Sequence, residues 1–261
     1  MKQLPTIELI NELLVLAEGI AKSAGELLST RPDTFDINQK SSARDFATQM
    51  DLASEKLIVE SILAARPNDG IIGEEGANRI SSSGITWVID PIDGTVNYFY
   101  NLPGWNISIA AKDEEGVLIG IVYAPTINSL WRASRGGGAF LNDRPISVSK
   151  IDSLSDSLIA TGFSYDPKER ADQGRQIAKL IPLVRDIRRH GAAAVDLCHV
   201  ASGAVDGYFE SGLKEWDLAA GGLIAREAGA LVTGLMGAPA GEAMVLAAGP
   251  ALHAVMALEI G

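Results

Sequence analysis

Trp87-Val88-Ile89-Asp90-Pro91-Ile92-Asp93-Gly94-Thr95-Val96-Asn97-Tyr98 places two carboxylates, Asp90 and Asp93, behind a short apolar run. The run reads as a buried strand, and Pro91 must end or bend it. The acids therefore sit where a strand spills into a loop. Oxygen ligands at the mouth of a sheet suit a hard divalent cation such as Mg2+. Gly94 lets the backbone come close to a ligand. The Thr95 hydroxyl and N–H can face a phosphate or a bound water. Turn and cap chemistry is the plain alternative, but acids at the end of an apolar strand are costly without a partner.

Working outward, three more segments put acids near turns: Asp51, the pair Glu74 and Glu75, and Asp217. Each has an ordinary reading. Thr48 looks like a helix N-cap with Asp51 as its capping-box partner. Gly73-Glu74-Glu75-Gly76 can be an exposed turn. Asp217 precedes an apolar helix and can cap it. Taken together, they form a set that a folded sheet could bring around two metal ions, which need several carboxylates, one of them shared.

Residues 6–30 carry a helical apolar stripe, ended by Arg31-Pro32. Residues 36–45 read as a loop or short hairpin, and a helix follows from Thr48 to about Arg66. Residues 107–112 and 117–123 read as a β-hairpin, with further strands at 130–134 and 146–149. Beyond them strands are expected at 158–161, 184–188 and 205–209. Helices are expected at 171–180, 192–202 and 218–228. This order suggests a mixed α/β fold in one unit, residues 1–261, with a division into two lobes near 145–155.

The chain has 261 residues and can bury a sizeable core. Its formal charge is −11, from 33 acidic and 22 basic side chains, which speaks against nucleic acid or an anionic membrane as a general partner. Cys198 is the one cysteine, so no intrachain disulfide is possible. That usage, with no signal-peptide pattern and no long uninterrupted apolar stretch, fits a cytoplasmic protein. His190, His199 and His253 form no recognisable motif; His199 reads as a packed or rim residue, and a rim contact is the minority alternative for His190, just before the alanine-rich loop. Gly136-Gly137-Gly138 reads as a turn, since no P-loop spacing follows. Arg188 and Arg189 read as a solvated pair, or as facing a neighbouring subunit or an anionic substrate.

Gly73-Glu74-Glu75, the stretch from Trp87 to Asn97, and Trp216-Asp217-Leu218-Ala219-Ala220-Gly221 resemble the three motifs of the inositol monophosphatase family. These are the lithium-sensitive, Mg2+-dependent phosphatases that include fructose-1,6-bisphosphatases. The resemblance runs from the first helix, through Lys40 and Asp51, to Ala228. It implies a layered α-β-α-β-α sandwich and a homodimer. It also implies Mg2+-dependent hydrolysis of a small phosphorylated polyol, myo-inositol monophosphate first. Histidinol phosphate or a sugar bisphosphate are alternatives within the same chemistry. A non-catalytic regulatory protein on this fold is the alternative of another class.

Carried over residue by residue, the resemblance implies two or three Mg2+ ions. Glu74, Asp90 and the Ile92 carbonyl would hold the first, and Asp90, Asp93 and Asp217 the second. A weaker third ion would sit near Glu74, with Glu75 behind it. Asp51 and Thr95 would orient and deprotonate the attacking water, with Glu74 beside them. Gly94 and Thr95 N–H groups would hold the phosphate. Ala193 and Glu210 would touch the polyol, at a substrate site completed by Asp93 and Asp217. The stretch Thr161–Asp166 does not follow the family pattern and is given no role.

Overall fold

The computed structural model describes residues 6–42 and 44–260. Helix α1 (Ile7–Ser29) opens on Thr6, whose Oγ1 accepts from the Leu9 N–H at 3.2 Å. A hairpin of β1 (Ile37–Ser42) and β2 (Asp45–Thr48) leads into α2 (Gln49–Ala65). Strands β3 (Gly70–Gly73), β4 (Asn78–Arg79) and β5 (Thr86–Asp93) follow, and then the short α3 (Thr95–Phe99). A meander comes next: β6 (Asn106–Asp113), β7 (Gly116–Ala124), β8 (Ser129–Ser134), β9 (Gly138–Leu141) and β10 (Arg144–Pro145). These strands make an eight-stranded sheet in the order β10-β9-β8-β7-β6-β5-β3-β4, antiparallel except between β3 and β5.

The rest of the chain builds a second sheet. Strand β11 (Leu158–Thr161), α4 (Pro167–Leu180), β12 (Asp186–Arg188), α5 (Ala193–Ala201), β13 (Gly207–Glu210) and α6 (Glu215–Glu227) are followed by β14 (Leu231–Thr233), β15 (Val245–Ala248) and α7 (Pro250–Ile260). The five strands run β12-β11-β13-β15-β14, with β11 parallel to both neighbours.

Three apolar layers join these parts. Helices α1 and α2 cover one face of the large sheet. Helices α5 and α6 fill the space between the two sheets. Helices α7 and α4 close the outer face of the small sheet. The result is the expected α-β-α-β-α sandwich. Strand periodicity sorts the side chains. Trp87 and Ile89 of β5 point to the α1/α2 layer, and Val88 between them points to the α5/α6 layer. Tyr208 and Phe209 of β13 divide in the same way between the middle and outer layers. Cys198 is fully buried in the middle layer, and Trp105 and Trp131 are also buried.

Some expectations need correction. Residues 146–149 form no strand, because Ile146 N–H donates to Ala139 and Val148 N–H to Ala228, on different elements. The sheet is completed by β9 and β10 instead, which the sequence reading passed over. Helix α4 starts at Pro167, capped by Asp166, four residues before the expected start. Helix α6 starts at Glu215, so Asp217 lies in its first turn rather than ahead of it. Residues 231–260 carry two strands and a helix that their alanine-rich, weakly periodic sequence did not announce.

Candidate active site

Pro91 bends β5 without ending it. Asp90 pairs with Ser108 and Asp93 with Asn106, so three steps on β5 face two on β6. Pro91 has no N–H to lose at such a bulge. The bulge brings both acids to the same end of the sheet, buried at 2% and 7% exposure. Asp90 Oδ1 accepts from the Ile92 N–H at 3.1 Å. Asp93 accepts from Asn106 Nδ2 at 2.8 Å and from the N–H groups of Ala193 at 3.1 Å and Ala194 at 2.8 Å. Ala192 sits at the N-cap of α5 and has no side chain to cap it. Asp93 supplies that cap from across the layers.

Asp51 is the capping-box partner the sequence allowed, and it also meets Thr95. Its Oδ2 closes the capping box of α2, accepting from Thr48 N–H at 2.7 Å and Thr48 Oγ1 at 2.6 Å. Its Oδ1 accepts from Thr95 Oγ1 at 2.9 Å. The Ile92 carbonyl, at 3.2 Å, competes for the same hydroxyl proton. Thr95 opens α3 behind Gly94, which holds φ at +88°. A Cβ at Gly94 would stand 3.2 Å from both the Ala192 methyl and the Gly191 carbonyl, so only glycine fits without strain.

Glu74 and Glu75 follow β3. Lys40 reaches over from β1 and donates to Glu74 Oε1 at 2.8 Å and Glu75 Oε1 at 2.5 Å. Glu55 of α2 holds this turn from below, accepting from Glu75 N–H and Ala77 N–H, each at 2.9 Å. Asp217 Oδ2 accepts from Lys214 N–H at 2.6 Å at the start of α6. Ser108 Oγ donates to the Trp216 carbonyl at 3.4 Å and draws that helix start toward β6. Glu210 ends β13 and accepts from Tyr208 Oη at 2.6 Å.

A cavity of about 170 Å³ gathers these groups: Glu74, Asp90, Ile92, Asp93, Gly94, Thr95, Ala193, Glu210 and Asp217 all line it. Asp51 stands behind Thr95. The N–H of Ala193 is taken by Asp93, which leaves its methyl to face the cavity. Residues 162–165, given no role from sequence, also line the cavity, and so does Arg189. Arg189 and Arg188 are therefore not one solvated pair: Arg188 pairs with Asp186 at the surface. The signals that could have found these residues are weak. Gly162 is needed because a Cβ there would collide with the Glu210 carboxylate, a contact made 48 residues away. The Gly136–Gly138 turn lies elsewhere, its first and last N–H groups held by Glu227 and the middle one by the Ser134 carbonyl.

The electrostatics are those of crowded acids. Burial first, then Glu74, Asp93 and Asp217, holds Asp90 well above the usual carboxylate range. Burial pushes Asp93 up to about 6, against the pull of Asn106 and the α5 amides. Burial, then Asp93 and Glu74, raises Asp217. Burial takes Glu210 and Glu75 each to about 7. Asp51 is raised by burial even though Thr48 and Thr95 donate to it. Buried acids so close together need a cation, and their donors are all oxygens, the set a hard divalent ion prefers. The residues present fit Mg2+.

Known proteins resemble this chain over most of its length. Residues 10–258 match the model of the inositol monophosphatase family. The chain is 42% identical over 228 residues to the Nus factor SuhB of Haemophilus influenzae, covering 85% of each protein. It is 41% identical over 228 residues to an inositol-1-monophosphatase of Mycobacterium bovis, covering 83% of this chain and 78% of that one. Among solved structures, the extragenic suppressor protein suhB of Bartonella henselae superposes with a TM-score of 0.91 at 32% identity, over 95% of this chain and 98% of that one. An inositol monophosphatase from Anabaena gives 0.86 at 34% identity, over 96% of each chain. On sequence, fold and the company its acids keep, this chain belongs to the inositol monophosphatase family.

Proposed function

We propose that this protein is a Mg2+-dependent phosphomonoesterase whose substrate is a small phosphorylated polyol, myo-inositol monophosphate first. The observation that carries the reading is the Thr95 hydroxyl. It donates to buried Asp51 and also lines a cavity walled by Glu74, Asp90, Asp93 and Asp217. Glu74, Asp90, Asp93, Asp217 and the Ile92 carbonyl would hold the metal. Bound Mg2+ would screen the phosphate dianion, acidify a water and stabilise the leaving oxygen.

The chain's own groups do the rest. Thr95 Oγ1 takes a proton from the attacking water as it passes its own to Asp51 Oδ1. Thr95 alone is too weak a base, and the burial that raises Asp51 makes it a better acceptor. Gly94, with its backbone open to the cavity, and the Thr95 N–H at the start of α3 receive the phosphate oxygens. Glu210 accepts hydrogen bonds from the polyol, and Arg189 brings positive charge to a cavity otherwise rich in acids. The cavity opens into a wider groove of about 1360 Å³. Two of the cations on that groove are countered, Lys214 by Glu242 and Arg175 by Asp172, while Lys179 stands exposed on it.

The test is phosphate release from inositol 1-phosphate, histidinol phosphate and fructose 1,6-bisphosphate. Each is run with Mg2+, with EDTA, and with Mg2+ plus Li+. The reading expects Mg2+-dependent, Li+-inhibited release from inositol 1-phosphate above the others. Release from another member alone replaces the substrate. No release from any refutes the enzyme. In that case the relatives named Nus factor favour the second reading, a regulatory protein on this fold. The −11 charge then directs it to a protein partner before RNA.

A further inference from the structure

We propose that His190, Asp196 and His199 form a second metal site, for Zn2+ or a similar borderline transition ion, separate from the acidic cavity. Each residue offers one ligand atom, and the three atoms lie within 4.8 Å of one another. Asp196 and His199 are three apart on α5 and so share a helix face. His190 joins them from the loop before that helix, its Nδ1 2.5 Å from Asp196 Oδ1.

Two further observations point to a missing ligand. The Nδ1 of His199 is buried and has no hydrogen-bond partner among the described residues. Buried polar atoms are almost always satisfied, so such a nitrogen requires an explanation. The Asp196 carboxylate is 1% exposed, and the cation beside it is a histidine, charged only when protonated. A metal ion answers both needs. It takes the place of the proton shared by His190 and Asp196 and gives the idle His199 ring a lone-pair acceptor. Burial holds His199 at about 4, so the ring is already in the neutral form that binds metal.

The donor set decides which ion. Two imidazoles and one carboxylate suit zinc, with water completing a tetrahedron, whereas Mg2+ prefers oxygen throughout. Ligands about 2.0–2.2 Å from a tetrahedral zinc stand roughly 3.3–3.6 Å from one another, so the His190–Asp196 pair must part and the widest separation must shrink. The half-exposed His190 ring, packed edge-on to His199 with centroids 5.0 Å apart, can swing to do so. An ion there would brace the loop at Gly191 and Ala192, which lines the acidic cavity, onto α5. The same loop is tied to α3 through Asn97 Nδ2, which donates to the His190 carbonyl at 2.7 Å.

The test is a Co2+ titration of the untagged full chain in excess Mg2+, read by visible absorption. Tetrahedral Co2+ on two histidines gives intense bands that octahedral Co2+ on oxygens lacks. The expected result is one equivalent with intense bands, displaced by Zn2+ and retained in Asp93→Asn. In His199→Gln and His190→Gln, binding should weaken by about tenfold or more, with unchanged circular dichroism. If His199→Gln fails to fold, the half-exposed His190→Gln decides alone. Absent bands, bands lost only in Asp93→Asn, or an identical titration in the folded histidine variants would overturn the site.

Discussion

At the scale of the residue, two of the site's acids hold two positions each. Asp51 caps α2 with one oxygen and holds Thr95 with the other, and Asp93 caps α5 while facing the cavity. Thr95→Ala removes the hydroxyl of the proposed proton path and leaves the acids in place. It is expected to lower kcat by about 10²–10⁴-fold with little change in KM, and Thr95→Ser to restore most of the rate. Equal kcat in Thr95→Ala would sink the assignment. Asp93→Asn keeps an acceptor for one of the two α5 amides, turns a donor toward the other, and loses the charge. Phosphate release should fall by at least about 100-fold, more than a partner behind the ligands would cost, while the protein stays folded. The residues legible in the sequence were those with a local signature: Asp90 and Asp93 around a proline, Asp51 behind Thr48, Asp217 behind a tryptophan. Glu55 and Arg189 were not, because their partners are set by the fold. Nothing near Glu55 in the chain says that it will hold the N–H groups of Glu75 and Ala77.

Between elements, the middle layer depends on small residues. A Cβ at Gly120 of β7 would stand 2.8 Å from the Ala220 carbonyl oxygen and 2.9 Å from its Cα. At Gly221 of α6 it would stand 2.9 Å from the Ala194 carbonyl. Backbone cannot yield as a side-chain tip can. Gly120→Ala should destabilise by about 1–3 kcal/mol, the usual range for overpacking. Urea denaturation would measure it, and an unchanged midpoint would contradict so close an approach. Because α6 carries Asp217 in its first turn, the same variant should weaken Mg2+ binding. Elements with strong periodicity or clear caps, α1, α2 and the β6/β7 hairpin, were readable from the chain. Those beyond residue 230 were not, since alanine fits helix and strand alike and the register of β15 is set by two neighbours, β13 and β14. Residues 146–149 look like a strand but hydrogen-bond to two different elements, and local sequence cannot tell these cases apart.

For the whole molecule, crowded acids make stability depend on pH and metal together. Asp93 at about 6 and Glu75 and Glu210 at about 7 hold protons that an unfolded chain, with carboxyls near about 4, has already released. The folded state binds more protons across that window, so stability falls as pH rises from about 4 to about 7. His199, held at about 4 by burial, acts in the opposite sense, but it does not line the acidic cavity where Mg2+ would sit. The gap in Tm between Mg2+-loaded and EDTA-treated protein should therefore widen steadily from pH 5 to pH 7. A constant gap would mean that Mg2+ does not meet Asp93 or bind beside the other two acids. The layered plan also gives the molecule a natural reporter. Cys198 is its single thiol, fully buried between the two sheets, where burial raises its pKa well above that of a free thiol. Alkylation can reach it only when the sheets part, so one mass shift per chain, followed over time, counts the openings of the sandwich itself.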